Sequence, residues 1–290
     1  MVKTLAMVVI GLAALALGLL VFGGMAPSSP VAAGPAAQPE AVETAGVPTL
    51  EWFGWSHFRI TSVNGTVIHT NPFITGNPDA SITLNDIQKA NLILVPNGHG
   101  DELGDTIAIA QKTGAQVVAG GFELGSWLIE KGLTSTQVIR SNPGNWHQFG
   151  DITIRVVGSV HGSGLPQPTA QNPYGGPAAG FFITLENGYT IYFAGSSAAT
   201  MDMQMWGAAF KPDLAIVPLN TARDPMDAAQ IVRLVAANNP NLKQVIAHHH
   251  RVVPPPGTTT VAQWEEAIHM MGTLVRVVKL QRNMPFPLTK

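Results

Sequence analysis

The sequence predicts an α/β domain with two β-rich halves, each backed by helices, behind an apolar N-terminal leader. Three observations carry that expectation. Short strands paired over Asn-Gly turns come first, at Asn64-Gly65 and again at Asn187-Gly188. Continuous apolar runs of strand length then alternate with helical patterns in each half. The whole order, hairpins followed by strand–helix units, occurs twice.

The leader is read first. After Lys3 the next charged residue is Glu40, and Thr4 to Met25 is almost wholly apolar. A basic start and an apolar run read as an export signal. The run also has the roughly 20 residues needed to span a bilayer, so residues 1–25 are a signal peptide or a membrane anchor helix. A Val31-Ala32-Ala33 site suits a signal peptidase. Residues 26–48, rich in Pro and Ala, read as a tether, and residues 49–290 as the folded domain. With Lys3 inside, the rest is expected outside the cytoplasm, on a periplasmic or extracellular face.

Within the domain, Leu50–Phe53, His57–Thr61 and Thr66–His69 read as strands, the last two forming a hairpin. Asn91–Val95 is an apolar strand that runs into Pro96-Asn97-Gly98-His99-Gly100-Asp101-Glu102. A helix with Ile107, Ile109 and Ala110 on one face follows. Gln116–Ala119 is a strand and Glu123–Lys131 a helix. Asp151–Val157 alternates apolar and polar residues and ends near His161. Phe181–Leu185 and Thr190–Phe193 form the second hairpin. Leu214–Val217 and Gln244–Ala247 are buried strands, the latter ending in His248-His249-His250. Asp227–Ala237 and Val261–Met271 are helices, and Leu274–Leu280 is a last strand.

Composition narrows the function. Of 290 residues, 46% are hydrophobic and 12% are Asp, Glu, Lys or Arg, enough apolar content for a large core. Without Lys3 the chain carries 15 basic against 18 acidic residues and no basic run, which argues against nucleic acid as a partner. No Cys means no cysteine nucleophile, thiolate zinc site or iron–sulfur cluster. Nine His in a charge-poor chain favour imidazole chemistry. Five of them fall just after strand ends: His99, His161 and His248–His250. Loops at strand ends commonly carry the sites of α/β proteins. Imidazole and carboxylate donors from separate loops suit zinc, iron or manganese, at about 2.0–2.2 Å. His57, His69, His147 and His269 have no partner pattern and read as structural. The six Trp read as core or pocket wall. Gly162–Gly180, rich in Gly and Pro, reads as a long loop beside His161, a lid or an ordinary excursion.

These residues also carry a resemblance. Asn71-Pro72-Phe73, Gly98-His99-Gly100-Asp101 followed by Leu103-Gly104-Asp105, Tyr192-Phe193-Ala194-Gly195, Lys211-Pro212-Asp213-Leu214 and Val245-Ile246-Ala247-His248-His249 stand in order. In this the chain resembles the metallo-β-lactamase superfamily, in its metal-dependent hydrolase branch with the Gly-His-Gly-Asp loop. The resemblance implies a four-layer αββα sandwich and a divalent metal. It also shows departures. The family pattern is His-x-His-x-Asp-His, a lone His, a bridging Asp and a last His. Here Asn97 replaces the first His, Glu102 replaces the His after Asp101, Ser196 stands for the bridging Asp, and Asn71 for an earlier Asp. His161 matches the lone His and His249 the last one, with His248 or His250 open if the register slips. The resemblance thus implies His99, Asp101, His161 and His249 as metal ligands, for one ion at most, zinc or another divalent transition metal. Asp101 and Glu102 are the candidate catalytic carboxylates. Two functions are carried forward. One is metal-assisted hydrolysis of a small-molecule ester, amide or phosphoester. The other is an inactive member that binds a ligand or protein partner at the membrane.

Overall fold

The computed structural model describes residues 46–220 and 222–290. The leader, anchor and most of the tether expected from the sequence lie outside the described residues. Among those, no helix is long and apolar enough to cross a membrane.

The first half builds β1 (Thr49–Trp52), β2 (Phe58–Thr61), β3 (Val67–Thr70), β4 (Leu92–Val95), β5 (Gln116–Ala119) and β6 (Val138–Arg140), with α1 (Gly100–Leu103), α2 (Thr106–Thr113) and α3 (Phe122–Glu130) between them. The second half builds β7 (Trp146–Phe149), β8 (Ile152–Gly158), β9 (Ala179–Thr184), β10 (Thr190–Phe193), β11 (Leu214–Pro218), β12 (Gln244–His248), β13 (Arg276–Val277) and β14 (Phe286–Pro287). Its helices are α4 (Asp202–Phe210), α5 (Pro225–Ala236) and α6 (Val261–Met270). Two seven-stranded sheets result, ordered β14-β1-β2-β3-β4-β5-β6 and β13-β12-β11-β10-β9-β8-β7. In each, antiparallel hairpins pass into parallel strands where a helix makes the crossover. Strand β14 closes the first sheet beside β1, so the end of the chain returns to its first strand.

The central strands, such as β4, β9, β10 and β11, are almost wholly apolar because both faces of each sheet are covered there. Leu92 and Leu94 of β4 face the other sheet, where they join Phe181, Ile183, Ile191 and Ile216 in one buried cluster. Ile93 and Val95, one residue out of phase, pack instead with Ile109, Leu124, Trp127 and Leu128 of α2 and α3. Tyr192, Ala215 and Val217 do the same against Ile231, Val232 and Trp264 of α5 and α6. The layers are therefore helix, sheet, sheet, helix, as the resemblance implied. Two details differ from the sequence expectation. The last strand shrinks to Arg276–Val277, since only the pairing with β12 holds it. The edge strands β6, β7 and β14 and helix α4 were not foreseen. Strand β7 is half exposed with no buried face, and α4 is short and weakly patterned.

Candidate metal centre

The loops that end β4, β8, β10 and β12 and the turn between β1 and β2 meet at one edge of the sandwich. Strand β4 delivers Pro96–Gly100, and α1 starts directly after His99. Asp101 and Glu102 thus lie in the first helical turn, where their charge suits the helix dipole. Asp101 is still partly exposed, whereas Glu102 is 1% exposed.

His249 is the member of the triple His that reaches this turn. Its backbone is left-handed, φ +56°, so the strand's alternation breaks there. Its Nε2 stands 3.5 Å from Asp101 Oδ2 and 3.1 Å from Glu102 Oε1. Ser196, just beyond β10, donates its hydroxyl to Glu102 Oε1 and lies 3.3 Å from His249 Nε2. His248 stands behind His249, the two Nδ1 atoms 2.8 Å apart, and does not reach α1. It is fully buried beside Phe58 and Phe193, and its Nε2 has no partner. His250 packs on Trp52, ring centres 4.9 Å apart.

His99 and His161 form a second pair, Nδ1 to Nε2 3.2 Å apart. The loop that carries His161 is tied down. Gly98 N–H donates to Ser163 Oγ, Ser163 N–H donates to Tyr174 Oη, and Trp127 Nε1–H donates to the Gln167 carbonyl. Gly162 and Gly164 flank the His99 ring, where a Cβ would sit 3.6 Å from it.

Electrostatics follow from this placement. Burial alone would raise Asp101, but the hydrogen bond and charge of His249 and the Trp55 N–H outweigh it and hold the carboxyl at about 2. Burial likewise opposes charge on His249, yet the charge of Glu102 and the hydrogen bonds to both carboxylates raise it to about 9. His161 is lowered, first by burial, and then by His99 and His249, against the pull of Glu102. Burial holds His248 well below its ordinary value.

Three supporting groups carry no mark in the sequence. Trp55, read as core or pocket wall, donates Nε1–H to Asp101 Oδ2 at 2.9 Å and sets its ring edge-on to His249. Its carbonyl accepts from His249 N–H and Trp52 Nε1–H. Ser56 Oγ lies 3.2 Å from the His249 ring nitrogens. Arg223 donates to the Ser197 and Ser196 carbonyls. Only the Gly54-Trp55 pair, with φ +106° and +55°, bends the β1–β2 turn far enough, and no spacing rule announces that.

The donor set fits one divalent ion and does not fit two. For a second ion, Asn97 Oδ1 is already taken by the His99 N–H, and Ser196 offers a hydroxyl already given to Glu102. For one ion, His249 Nε2 stands 3.5 Å and 3.1 Å from the two carboxylates, close to the ~3.4 Å expected of ligands that share a tetrahedral ion with bonds of ~2.1 Å. Glu102 Oε2 is buried without a partner, an acceptor still to be satisfied. As they stand, no three such side chains among the described residues are closed around a common point, so an ion would draw them together.

The comparisons agree with this architecture. The model of the β-lactamase superfamily domain matches residues 49–266. A Koribacter versatilis protein named UPF0173 metal-dependent hydrolase is 33% identical over 188 residues, covering 64% of this chain and 79% of its own. A protein of that name from Cupriavidus taiwanensis is 34% identical over 237 residues, covering 77% and 82%. Among solved structures, Igni18, a metallo hydrolase from Ignicoccus hospitalis, aligns with TM-score 0.70 and 24% identity over 84% of this chain and 99% of its own. An isothiocyanate hydrolase from Delia radicum gut bacteria aligns at 0.62 and 14%, over 83% and 100%, a likeness of fold. With the domain model covering most of the chain and relatives of one name spanning its sandwich, the chain belongs to the β-lactamase superfamily, in the UPF0173 family.

Proposed function

We propose that this protein is a hydrolase that works with at most one divalent ion on a small ester, amide or phosphoester. The observation that carries the reading is His249 set against both Asp101 and Glu102 while Ser196 occupies the place of a bridging carboxylate. His249, Asp101 and Glu102 would hold the ion, and His99 and His161 flank it. When bound, the ion supplies an acidified water and polarises the scissile carbonyl or phosphoryl group. The chain's own groups do the rest. The Trp55 N–H fixes one Asp101 oxygen, and His249 and that bond keep Asp101 ionised, in place to hold the ion. Glu102 stays buried and orients His249. The lowered His161 stays neutral beside His99, so its ring can accept the proton of the attacking water and pass it to the leaving group.

The relatives' shared name, metal-dependent hydrolase, supports the reaction class. The Lys3 start and the apolar run to Met25 support export of the domain, anchored if the leader is retained. The test uses full chain purified without chelator, stripped and reloaded with zinc or manganese. Elemental analysis should give no more than one ion per chain, and His249→Ala should lose it together with hydrolysis of a panel of aryl esters, anilides and phosphoesters. Less than about a tenth of an ion per wild-type chain would sink the metal reading and leave an inactive binding module.

A further inference from the structure

Beside the candidate metal centre, on the far side of His250, lies a cavity of about 290 Å³ that the reaction above does not use. Trp52, Ile246, Val261, Val278 and Leu280 form its walls. That volume is at the lower end of ligand pockets, which run ~300–1,000 Å³, and its lining is apolar as theirs is. Its polar groups are mostly donors. Arg251 lines it, with the start of α6 at Thr260 and Val261, while the Lys279 ammonium beside it is paired with Glu265 at 2.6 Å. No Asp or Glu lines it.

The guanidinium is positioned without being used up. Asp79 takes the Arg251 Nε–H at 2.5 Å and so fixes the side chain, while its two terminal nitrogens have no hydrogen-bond partner among the described residues. Such a planar pair of donors matches a carboxylate. Thr260 and Gln263 cap α6 reciprocally, so both of those N–H groups are already satisfied and Arg251 is left as the donor. An apolar chamber with the free terminal nitrogens of Arg251 at its mouth suits a ligand with an apolar body and an acidic head.

We propose that this cavity binds a small apolar carboxylate of the medium-chain fatty acid class, with its chain against Trp52 and Leu280 and its head on Arg251. The site adjoins the metal centre through the backbone. Trp52 donates its indole N–H to the Trp55 carbonyl, the same oxygen that accepts from His249 N–H. A ligand pressed on Trp52 and His250 therefore touches the two elements that hold His249 and Asp101 in place.

The experiment is calorimetric titration of octanoate, octan-1-ol and acetate into the full chain without added metal, so the result does not depend on hydrolysis. Octanoate should bind at least about tenfold tighter than octan-1-ol, and acetate should not bind, because the apolar body and the acidic head are both needed. Val261→Trp and Leu280→Trp, which fill the chamber from two sides, should each weaken octanoate at least about tenfold, while circular dichroism stays unchanged. Arg251→Gln should bring octanoate down to the level of octan-1-ol. These variants also separate the cavity from binding by the apolar leader, which none of them alters. Equal affinity for octanoate and octan-1-ol, or octanoate binding unchanged in both filled variants, overturns the proposal.

Discussion

Acid should unfold this domain well above the pH at which its carboxylates protonate, because it buries neutral histidines. His57 and His69 are the clearest pair. Both rings are fully buried on the first sheet, and His57 Nε2 lies 2.9 Å from His69 Nδ1. His69 Nε2 faces the Lys89 carbonyl, so it carries the ring proton and leaves Nδ1 to accept. His57 therefore donates from Nε2, and its own Nδ1 is bare and unpartnered. A further proton on His69 would set two N–H groups head to head. On His57 it would point at nothing. Burial lowers His57 well below its ordinary value, with the charges of His69 and Arg59 adding. Burial and then Arg59 bring His69 down to about 4.

The sign follows from linkage. Both groups are neutral when folded and take up a proton near pH 6.5 when unfolded, so their stability contribution is complete above 6.5 and is lost as pH falls toward 4. Each proton costs ~1.4 kcal/mol per pH unit across that window. The pair thus gives a slope of ~2.7 kcal/mol per unit, and the buried, lowered His248 brings it to ~4. Between pH 6.5 and 5 the loss is ~5 kcal/mol, because the slope is reached only below 6.5, and this is on the scale of a domain's whole stability. Urea unfolding of wild type and His57→Phe at half-unit steps from pH 7.5 to 5 measures it. The variant loses one hydrogen bond at every pH, a constant offset of ~1 kcal/mol, but its slope below 6.5 should be shallower by ~1.4 kcal/mol per unit. Parallel slopes for the two proteins would refute the argument.

Other outcomes concern the centre and its frame. Ser196→Asp restores a carboxylate between the two halves of the site, and bound ions should rise from one toward two per chain by elemental analysis. A count that stays at one shows that Asn97 limits the site instead. Trp55→Phe keeps an aromatic ring against His249 but removes the N–H on Asp101, and should weaken the bound ion by ~10-fold, as loss of a supporting hydrogen bond does. An unchanged affinity by competition with a chelator would make that bond immaterial. Gly54→Ala combines φ +106° with a Cβ 2.2 Å from the Asp79 carbonyl, and should cost at least ~3 kcal/mol in urea unfolding. Gly65→Ala, at φ +76° with nothing within 4 Å, should cost only ~1 kcal/mol, and equal losses would mean that strain rather than crowding governs both.

Much of the fold was legible because its signals are local. Apolar runs such as Leu92–Val95 and Leu214–Val217 have to be buried on both faces, and Asn64-Gly65 and Asn187-Gly188 have to turn. The order of motifs from Asn71 to His249 specified the sandwich and pointed to the loops that meet. Elements with weak burial, β6, β7 and α4, left no such mark. The His57–His69 pair was read as having no partner, since a contact across a hairpin pair depends on register, not on spacing.

The sequence by itself determined which donors exist: five His and two carboxylates at strand ends, a Ser where a bridging Asp would stand, and no thiol. Tertiary structure alone decided how they are used. The left-handed turn at His249 selects it over His248 and His250, because reversing φ swings one side chain toward α1 and leaves its neighbour in the core. It also recruited Trp55, 46 residues from Asp101, whose role rests on a turn between two strands that only the assembled sheet brings to the site.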